Sequence, residues 1–376
     1  MTSYKYSPNH ITCCIPEKAG ISSNNILKGE ESMTEWLKRL RIENFKSVKE
    51  LELECKRVNF FIGEPNAGKS NILEALGLLS FAYYGEENNI KGLSPFVRCE
   101  KASDIFYYGT RIAKIAINNN IYTLKCMGEN IHLLKGDSEL IIREEARKSK
   151  RDLFEFEEFM RELRERKSKG KEKKAEWKDL ERFKFYRFSQ RSTFPGEEPR
   201  PLLPPDGKNL LQVLLEHAEL MEEFSEIFQR FGLEVKLDIS ERRMNIQHEL
   251  RKGVVTSVPY SLISDTLQRF IFHIAAIYTN ENSVLVFEEP EAHAFPFYTD
   301  HLAERIASDS HNQYFISTHN PFFVIRVIEK AKEGDVSVFA TSFKEYTRVT
   351  PLKTEDVLEF GSDFIYNLDA LMQEEE

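Results

Sequence analysis

Apolar and polar residues alternate along this chain with two periods, and the change of period marks its organisation. Residues 40–45, 48–55 and 58–62 read as strands; the second alternates as a strand with one wet face does, while the third is almost continuously apolar. A helical run, 71–79, follows. Residues 112–117 and 121–126 are predicted to pair as an antiparallel hairpin around Asn118-Asn119-Asn120, which tolerate left-handed backbone. Beyond a Pro-rich link at 195–205 the period lengthens, and 209–231 reads as one long helix, followed by short strands up to Val258. Helix 264–278, strand 283–287, helix 296–306, strand 313–317 and helix 321–331 then alternate, the pattern of a parallel sheet. The expected fold is α/β, with both halves of the chain sharing one sheet and an antiparallel β lobe on its flank.

Two segments break the pattern. Residues 1–32 are rich in Ser, Asn, Lys and Pro and read as a loose extension, with Met33 a second possible start. Residues 140–184 are dense in Lys, Arg and Glu, with Leu153, Phe154, Phe156, Phe159, Met160 and Leu163 as an apolar thread and Gly170 as a break. This is the signature of a charged helical insertion, either a solvated helix pair with salt-bridged faces or a contact surface for nucleic acid or a partner chain. It divides the chain into an N-lobe, 33–139, and a C-lobe, 185–376.

Length and charge narrow the possibilities. The 376 residues can bury a full α/β core with room for an insertion. A net charge of −9 argues against a surface built wholly for nucleic acid, so any DNA contact is expected to be regional. Cys13, Cys14, Cys55, Cys99 and Cys126 show no C-x-x-C pairing, and reduced thiols are expected. The N-terminus lacks the apolar core of a signal peptide and no apolar run reaches membrane-spanning length, which points to the cytoplasm.

The chemistry concentrates in three places. Gly63-Glu64-Pro65-Asn66-Ala67-Gly68-Lys69-Ser70 fits the phosphate-loop pattern G-x-x-x-x-G-K-[ST], between a strand and a helix as that loop requires. Its glycines let the backbone curl so that N–H groups face phosphate oxygens. Gly63, Pro65, Asn66, Ala67, Gly68, Lys69, Ser70 and Asn71 are the expected nucleotide-binding residues; Lys69 reaches the β/γ oxygens, and the Ser70 hydroxyl ligates Mg²⁺. Hydrolysis also needs a carboxylate near the metal and a group that positions water. Run 283–287 ends in Glu288-Glu289-Pro290-Glu291, and acidic groups at the carboxyl end of a buried strand point into the ligand crevice. Glu288 is assigned to the Mg²⁺ shell through water and Glu289 to general base, with Glu291 a structural alternative. Run 313–317 ends in Thr318-His319-Asn320-Pro321, where His319 can hydrogen-bond the γ-phosphate and the attacking water.

Leu40-Arg41-Ile42-Glu43-Asn44-Phe45-Lys46-Ser47-Val48, the loop with Asn71-Ile72-Leu73-Glu74-Ala75-Leu76, Phe287-Glu288-Glu289-Pro290-Glu291-Ala292-His293 and Ser317-Thr318-His319-Asn320-Pro321 closely resemble the ABC-type ATPase heads of the OLD (overcoming lysogenisation defect), RecF and SMC group. Within that group the chain looks most like the stand-alone ATPases of PARIS, Septu and retron antiphage systems. The resemblance implies a P-loop NTPase head of ABC/SMC type that sandwiches ATP and Mg²⁺ between two protomers. In such a dimer a signature serine at a helix N-terminus faces the neighbour's γ-phosphate. Ser264 takes that place; a serine there is also an ordinary helix cap. Gln190 is the candidate lid glutamine. The usual glycine of the signature is missing, and Glu288 stands where aspartate is commoner, so turnover is expected to be slow.

Fewer than about sixty residues follow His319, too few for the Toprim nuclease domain of the OLD nucleases, so Asp356, Glu359 and Asp363 are read as surface charges and a separately encoded effector is expected. The alternative is a DNA-binding ATPase of RecF type using the basic residues near 167–174. A transporter subunit fits least, because the N-F-K-S-V and T-H-N-P segments belong to the soluble group.

Overall fold

The computed structural model describes residues 36–87, 92–128, 130–143, 177–199 and 201–373. The predicted extension at 1–32 and the central part of the predicted insertion, 144–176, lie outside the described residues; every element below belongs to the compact unit Glu35–Glu376.

Strands β1 (Arg39–Phe45), β2 (Val48–Glu54) and β3 (Val58–Ile62) lead through the phosphate loop into helix α1 (Lys69–Glu87). Next comes a meander, β4 (Ile112–Ile117), β5 (Asn120–Met127), β6 (Asn130–Lys135) and β7 (Ser138–Arg143), which completes an antiparallel sheet of order β2-β1-β4-β5-β6-β7. The predicted hairpin is β4–β5. Asn118 takes its left-handed turn at φ 51°, and its Oδ1 accepts the Lys38 N–H at 2.8 Å, which ties the turn to the entrance of β1. β6 and β7 extend the lobe beyond that hairpin.

β8 (Phe183–Tyr186) precedes α2 (Leu210–Glu216) and α3 (Ala218–Gln229), and β9 (Leu233–Asp238), β10 (Arg243–Arg251) and β11 (Val254–Pro259) form a separate antiparallel sheet. The alternating part then runs α4 (Asp265–Thr279), β12 (Val284–Glu288), α5 (Pro296–Ser308), β13 (Gln313–Thr318), α6 (Pro321–Lys330), β14 (Val336–Lys344) and β15 (Tyr346–Leu352). Short helices α7 (Thr354–Phe360) and α8 (Leu368–Gln373) close the described chain. The central sheet has the order β15-β14-β3-β13-β12-β8, parallel throughout except for β15.

Several sequence expectations need correction. The ends of the predicted 140–184 insertion are strands: Leu140 and Ile142 alternate inward on β7, and β8 is buried on both faces beside β12, so its apolar content builds the core rather than an appendage. The single helix expected over 209–231 is two. His217 leaves helical backbone at φ −116°, ψ 84°, its ring packing 5.6 Å from Tyr278 on α4. β14 and β15 were not anticipated. In the tail, Glu359 and Asp363 are exposed and Asp356 is half-buried.

Side chains of the central sheet alternate between two cores. Val58, Phe60, Ile62, Leu285, Phe287, Tyr314 and Ile316 face the helices of the C-lobe. Phe61, Val284, Val286 and Phe315 face α1 and the antiparallel lobe. α1 carries apolar residues on every face, with Glu74 and Ser80 as buried polar exceptions, because it packs against both six-stranded sheets. Phe61 stacks 5.3 Å from Phe339 and 6.4 Å from Phe315, one strand away on either side. Truncating such a ring to Ala costs about 3–5 kcal/mol, so the phosphate loop grows from a floor that resists deformation.

Candidate nucleotide site

The carboxyl ends of β3, β12 and β13 lie side by side, Thr318 opposite Ile62 and Ser317 opposite Glu288. This is where a parallel sheet leaves a ligand crevice. The loop after β3 has two glycines that no other residue replaces: a Cβ on Gly63 would sit 2.1 Å from the Thr341 carbonyl oxygen, and one on Gly68, at φ 100°, 1.9 Å from Thr347 Oγ1. Both neighbours belong to the β14–β15 hairpin, which thus braces the loop from below. The hydroxyls of Ser47 and Thr347 lie 2.6 Å apart, and Asn71 Nδ2 donates to Ser47 Oγ at 2.6 Å.

Lys69 is 5% exposed, and its ammonium donates to the loop's own carbonyls, Gly63 at 2.7 Å and Glu64 at 2.8 Å. Burial lowers its pKa to about 8, against the opposing pull of the Glu289 carboxylate. Glu289 in turn meets His319, Nε2 to Oε1 at 3.3 Å. Burial, then the Lys69 charge, push the imidazole pKa down, and Glu289 only partly offsets them; His319 is therefore neutral at neutral pH and able to accept or donate one hydrogen bond from each nitrogen. Lys69, at the start of α1, thus lies near Glu289 and His319, which follow the ends of β12 and β13.

Glu288 faces the other way, toward α1. The Ser70 hydroxyl bonds its carboxyl, Arg98 reaches Oε1 at 2.8 Å, and Arg187 reaches Oε2 at 3.0 and 3.2 Å. Burial raises the Glu288 pKa, but Arg187, the Ser70 hydroxyl and Arg98 outweigh it and hold the group below the usual carboxylate range. Both arginines also bind the fully buried Glu74 of α1, at 2.7 and 3.1 Å, and Lys46 bonds the other oxygen of Glu74. A network of two carboxylates and three cations therefore lies beneath the phosphate loop.

Mg²⁺ fits this arrangement. Ser70 and Glu288 already touch, and among the described residues no cluster of three or more His, Cys, Asp or Glu forms a metal cage. An ion held by one hydroxyl, one carboxylate through water and the substrate's own phosphates needs no such cage.

The family described as "AAA domain, putative AbiEii toxin, Type IV TA system" matches residues 58–325, a span that holds the phosphate loop, both carboxylates and the histidine. The chain belongs to that AAA-domain family. Two strains of Leptospira biflexa serovar Patoc supply a curated relative, the DNA replication and repair protein RecF, 33% identical over 99 residues that cover 22% of this chain and 27% of RecF. The match thus spans about a quarter of that relative's length. Among solved structures, an SMC head bound to the C-terminal winged-helix domain of ScpA is similar at 13% identity and TM-score 0.46, covering 86% of this chain and 100% of that one. An SMC head domain from Thermotoga maritima is similar at 14% identity and TM-score 0.40, covering 85% and 99%.

Within the AAA domain, the two remaining sequence candidates sit together at the start of α4. Ser264 caps α4, its hydroxyl accepting the Leu267 N–H at 3.4 Å, and Gln190 donates to the Ser261 carbonyl three residues upstream. Thr266, the second residue of α4, bonds the His293 carbonyl, which links this helix to the turn after β12. Arg98 and Arg187 were missed by sequence reasoning. Arg187 carried a usable signal, a cation at the carboxyl end of a buried strand; Arg98, in an irregular segment, carried none.

Proposed function

We propose that this AAA domain is a Mg²⁺-dependent ATPase head that dimerises around ATP and serves as sensor and scaffold for a separately encoded effector, a toxin or nuclease, in bacterial antiphage defence. The observation that carries the catalytic part is the meeting of Lys69, Glu289 and His319 at three adjacent strand ends. Lys69 exchanges its loop carbonyls for the β/γ oxygens of ATP. Glu289 takes a proton from water as the water attacks the γ-phosphorus in line; the bond to the β,γ-bridging oxygen breaks, and ADP leaves with that electron pair. Neutral His319 orients the water and donates to the γ-phosphate. Mg²⁺, held by Ser70 and Glu288, supplies neutralisation of the charge shared between the β- and γ-phosphates.

Ser264 at the N-terminus of α4 offers free N–H groups to an anion, and in this reading that anion is the γ-phosphate of a second protomer, with Gln190 beside it as lid. Closing one pocket from two chains turns binding into assembly and hydrolysis into release. The family's description, which names a toxin and a type IV TA system, supports the defence setting. Light scattering with Glu289→Gln tests the assembly: a dimer that forms only with ATP is expected, and a monomer with and without nucleotide sinks it. Co-purification of the tagged chain from its native operon tests the effector, whose absence would count against the scaffold role.

A second reading, a DNA-repair or chromosome-maintenance ATPase that binds DNA through the charged insertion, is favoured by the 33% identity to RecF. DNA binding that weakens steeply with salt supports it; absent or salt-insensitive binding removes it.

A further inference from the structure

We infer that Glu291 is a positioning residue of the hydrolytic site: through the Thr318 hydroxyl it holds the turn carrying Glu289 in register with the turn carrying His319. This rests on the ATPase reading above. The turn after β12 is strained, with left-handed backbone at Glu289 (φ 45°) and His293 (φ 61°), conformations that cost non-glycine residues on the order of 1 kcal/mol each and persist only where neighbours hold them. Part of the hold is backbone: Glu289 N–H donates to the Ser317 carbonyl at 3.0 Å, Ala292 N–H to Glu289 and Ala294 N–H to Glu291, both at 3.0 Å.

The rest is Glu291. Its side chain points into the protein, 7% exposed, between the ends of β12 and β13. The fully buried Thr318 donates its hydroxyl proton to Glu291 Oε1, and the same hydroxyl accepts the Asn320 N–H at 2.9 Å. His319 is therefore bracketed: the residue before it is fixed to the β12 turn, and the residue after it is fixed to the residue before it. One end of this bracket carries the catalytic carboxylate and the other the imidazole, and the 3.3 Å between them depends on both ends staying put.

Packing alone does not account for a carboxyl here. Burying one is costly unless it is fully bonded, and Oε2 completes no hydrogen bond among the described residues. An apolar side chain would fill the same volume without that penalty, so the group is held for what its other oxygen does.

Steady-state ATP hydrolysis by the full chain, with MgATP as the probe and thermal melts as the folding control, tests the assignment. Glu291→Ala and Thr318→Val are each expected to lower kcat on the order of tenfold, since an ångström-scale misplacement of a catalytic pair is felt strongly, while KM for ATP stays within about twofold. The double variant should be no slower than the slower single, because both cut the same link. Glu291→Gln, which keeps an acceptor for the Thr318 hydroxyl, should restore kcat to within about threefold of wild type. Unchanged kcat in both single variants, losses that multiply in the double, or a Gln variant as slow as the Ala variant would each overturn the assignment. Should Glu291→Ala not fold, Thr318→Val is nearly isosteric and decides alone. A wild-type chain that does not hydrolyse ATP defeats the ATPase reading itself, whereas wild-type turnover with unaffected variants defeats only the positioning role.

Discussion

Glu288, at the end of β12, and Glu291, three residues on in the turn that follows, are treated by the fold in opposite ways. Glu288 faces α1, where Arg187, Ser70 and Arg98 keep it ionised in spite of burial. Glu291 faces the space between two strand ends, where burial dominates and lifts its pKa to about 7 against the Thr318 hydroxyl bond. The sequence writes the same letter at both positions. What separates the two carboxylates is which way each side chain faces, and which charges that side already holds.

The residue between them gives the largest expected effect. Glu289→Gln should reduce kcat by a hundredfold to ten-thousandfold, the usual range for a general base, while ATP affinity holds in isothermal titration; equal turnover in variant and wild type would move the base elsewhere, with Glu291 the first alternative. Lys69→Ala should weaken ATP binding on the order of a hundredfold, since it removes the ammonium that donates to the loop's own carbonyls. The same lysine links binding to pH. With its free-state pKa lowered to about 8 and the phosphates favouring the charged form, ATP binding should take up a proton near pH 8, and affinity should fall as pH rises above that value. Calorimetry in buffers of different ionisation enthalpy reads this directly.

Next in size is Arg187→Ala, which strips a cation from the fully buried Glu74 and from Glu288 together. A loss of about 2–3 kcal/mol in chemical denaturation is expected, with Arg98→Ala milder because Arg98 is 58% exposed against 25% for Arg187. Equal losses would show that Arg98 and Arg187 hold the network equally. The pH dependence of stability sharpens the comparison most. The Glu291 pKa is raised from 4.5 in the unfolded chain to about 7, so its contribution to stability is fully present below pH 4.5 and is lost as pH rises to about 7. The Glu288 pKa is lowered, so its contribution is present above pH 4.5 and lost as pH falls through the folded value. Stability measured against Glu291→Gln and Glu288→Gln across pH 3–8 should therefore show opposite slopes in separate windows; parallel slopes would erase the distinction.

Much of the scaffold was legible beforehand because it is written in local periodicity. The buried strands 283–287 and 313–317, the hairpin around Asn118 and the cap at Ser264 all appear within a residue or two of the predicted place. The failures share a cause. The 209–231 helix breaks at His217 because a ring on α4 claims it, and β8 leaves the charged insertion because β12 offers it a buried partner. In both, a contact from distant sequence outweighs the local preference.

The same division holds at the site. Local sequence alone determined the phosphate loop, the acidic strand end and the histidine after the next strand, since each chemistry demands particular residue types at fixed spacing beside a strand or helix end. Only the tertiary structure decided that Arg98 would grip a carboxylate 190 residues away, that the β14–β15 hairpin would forbid a Cβ at Gly63 and Gly68, and that Glu291 would turn toward Thr318. Those choices follow from strand order and from which face of each strand is buried, and chain-local patterns carry no record of either.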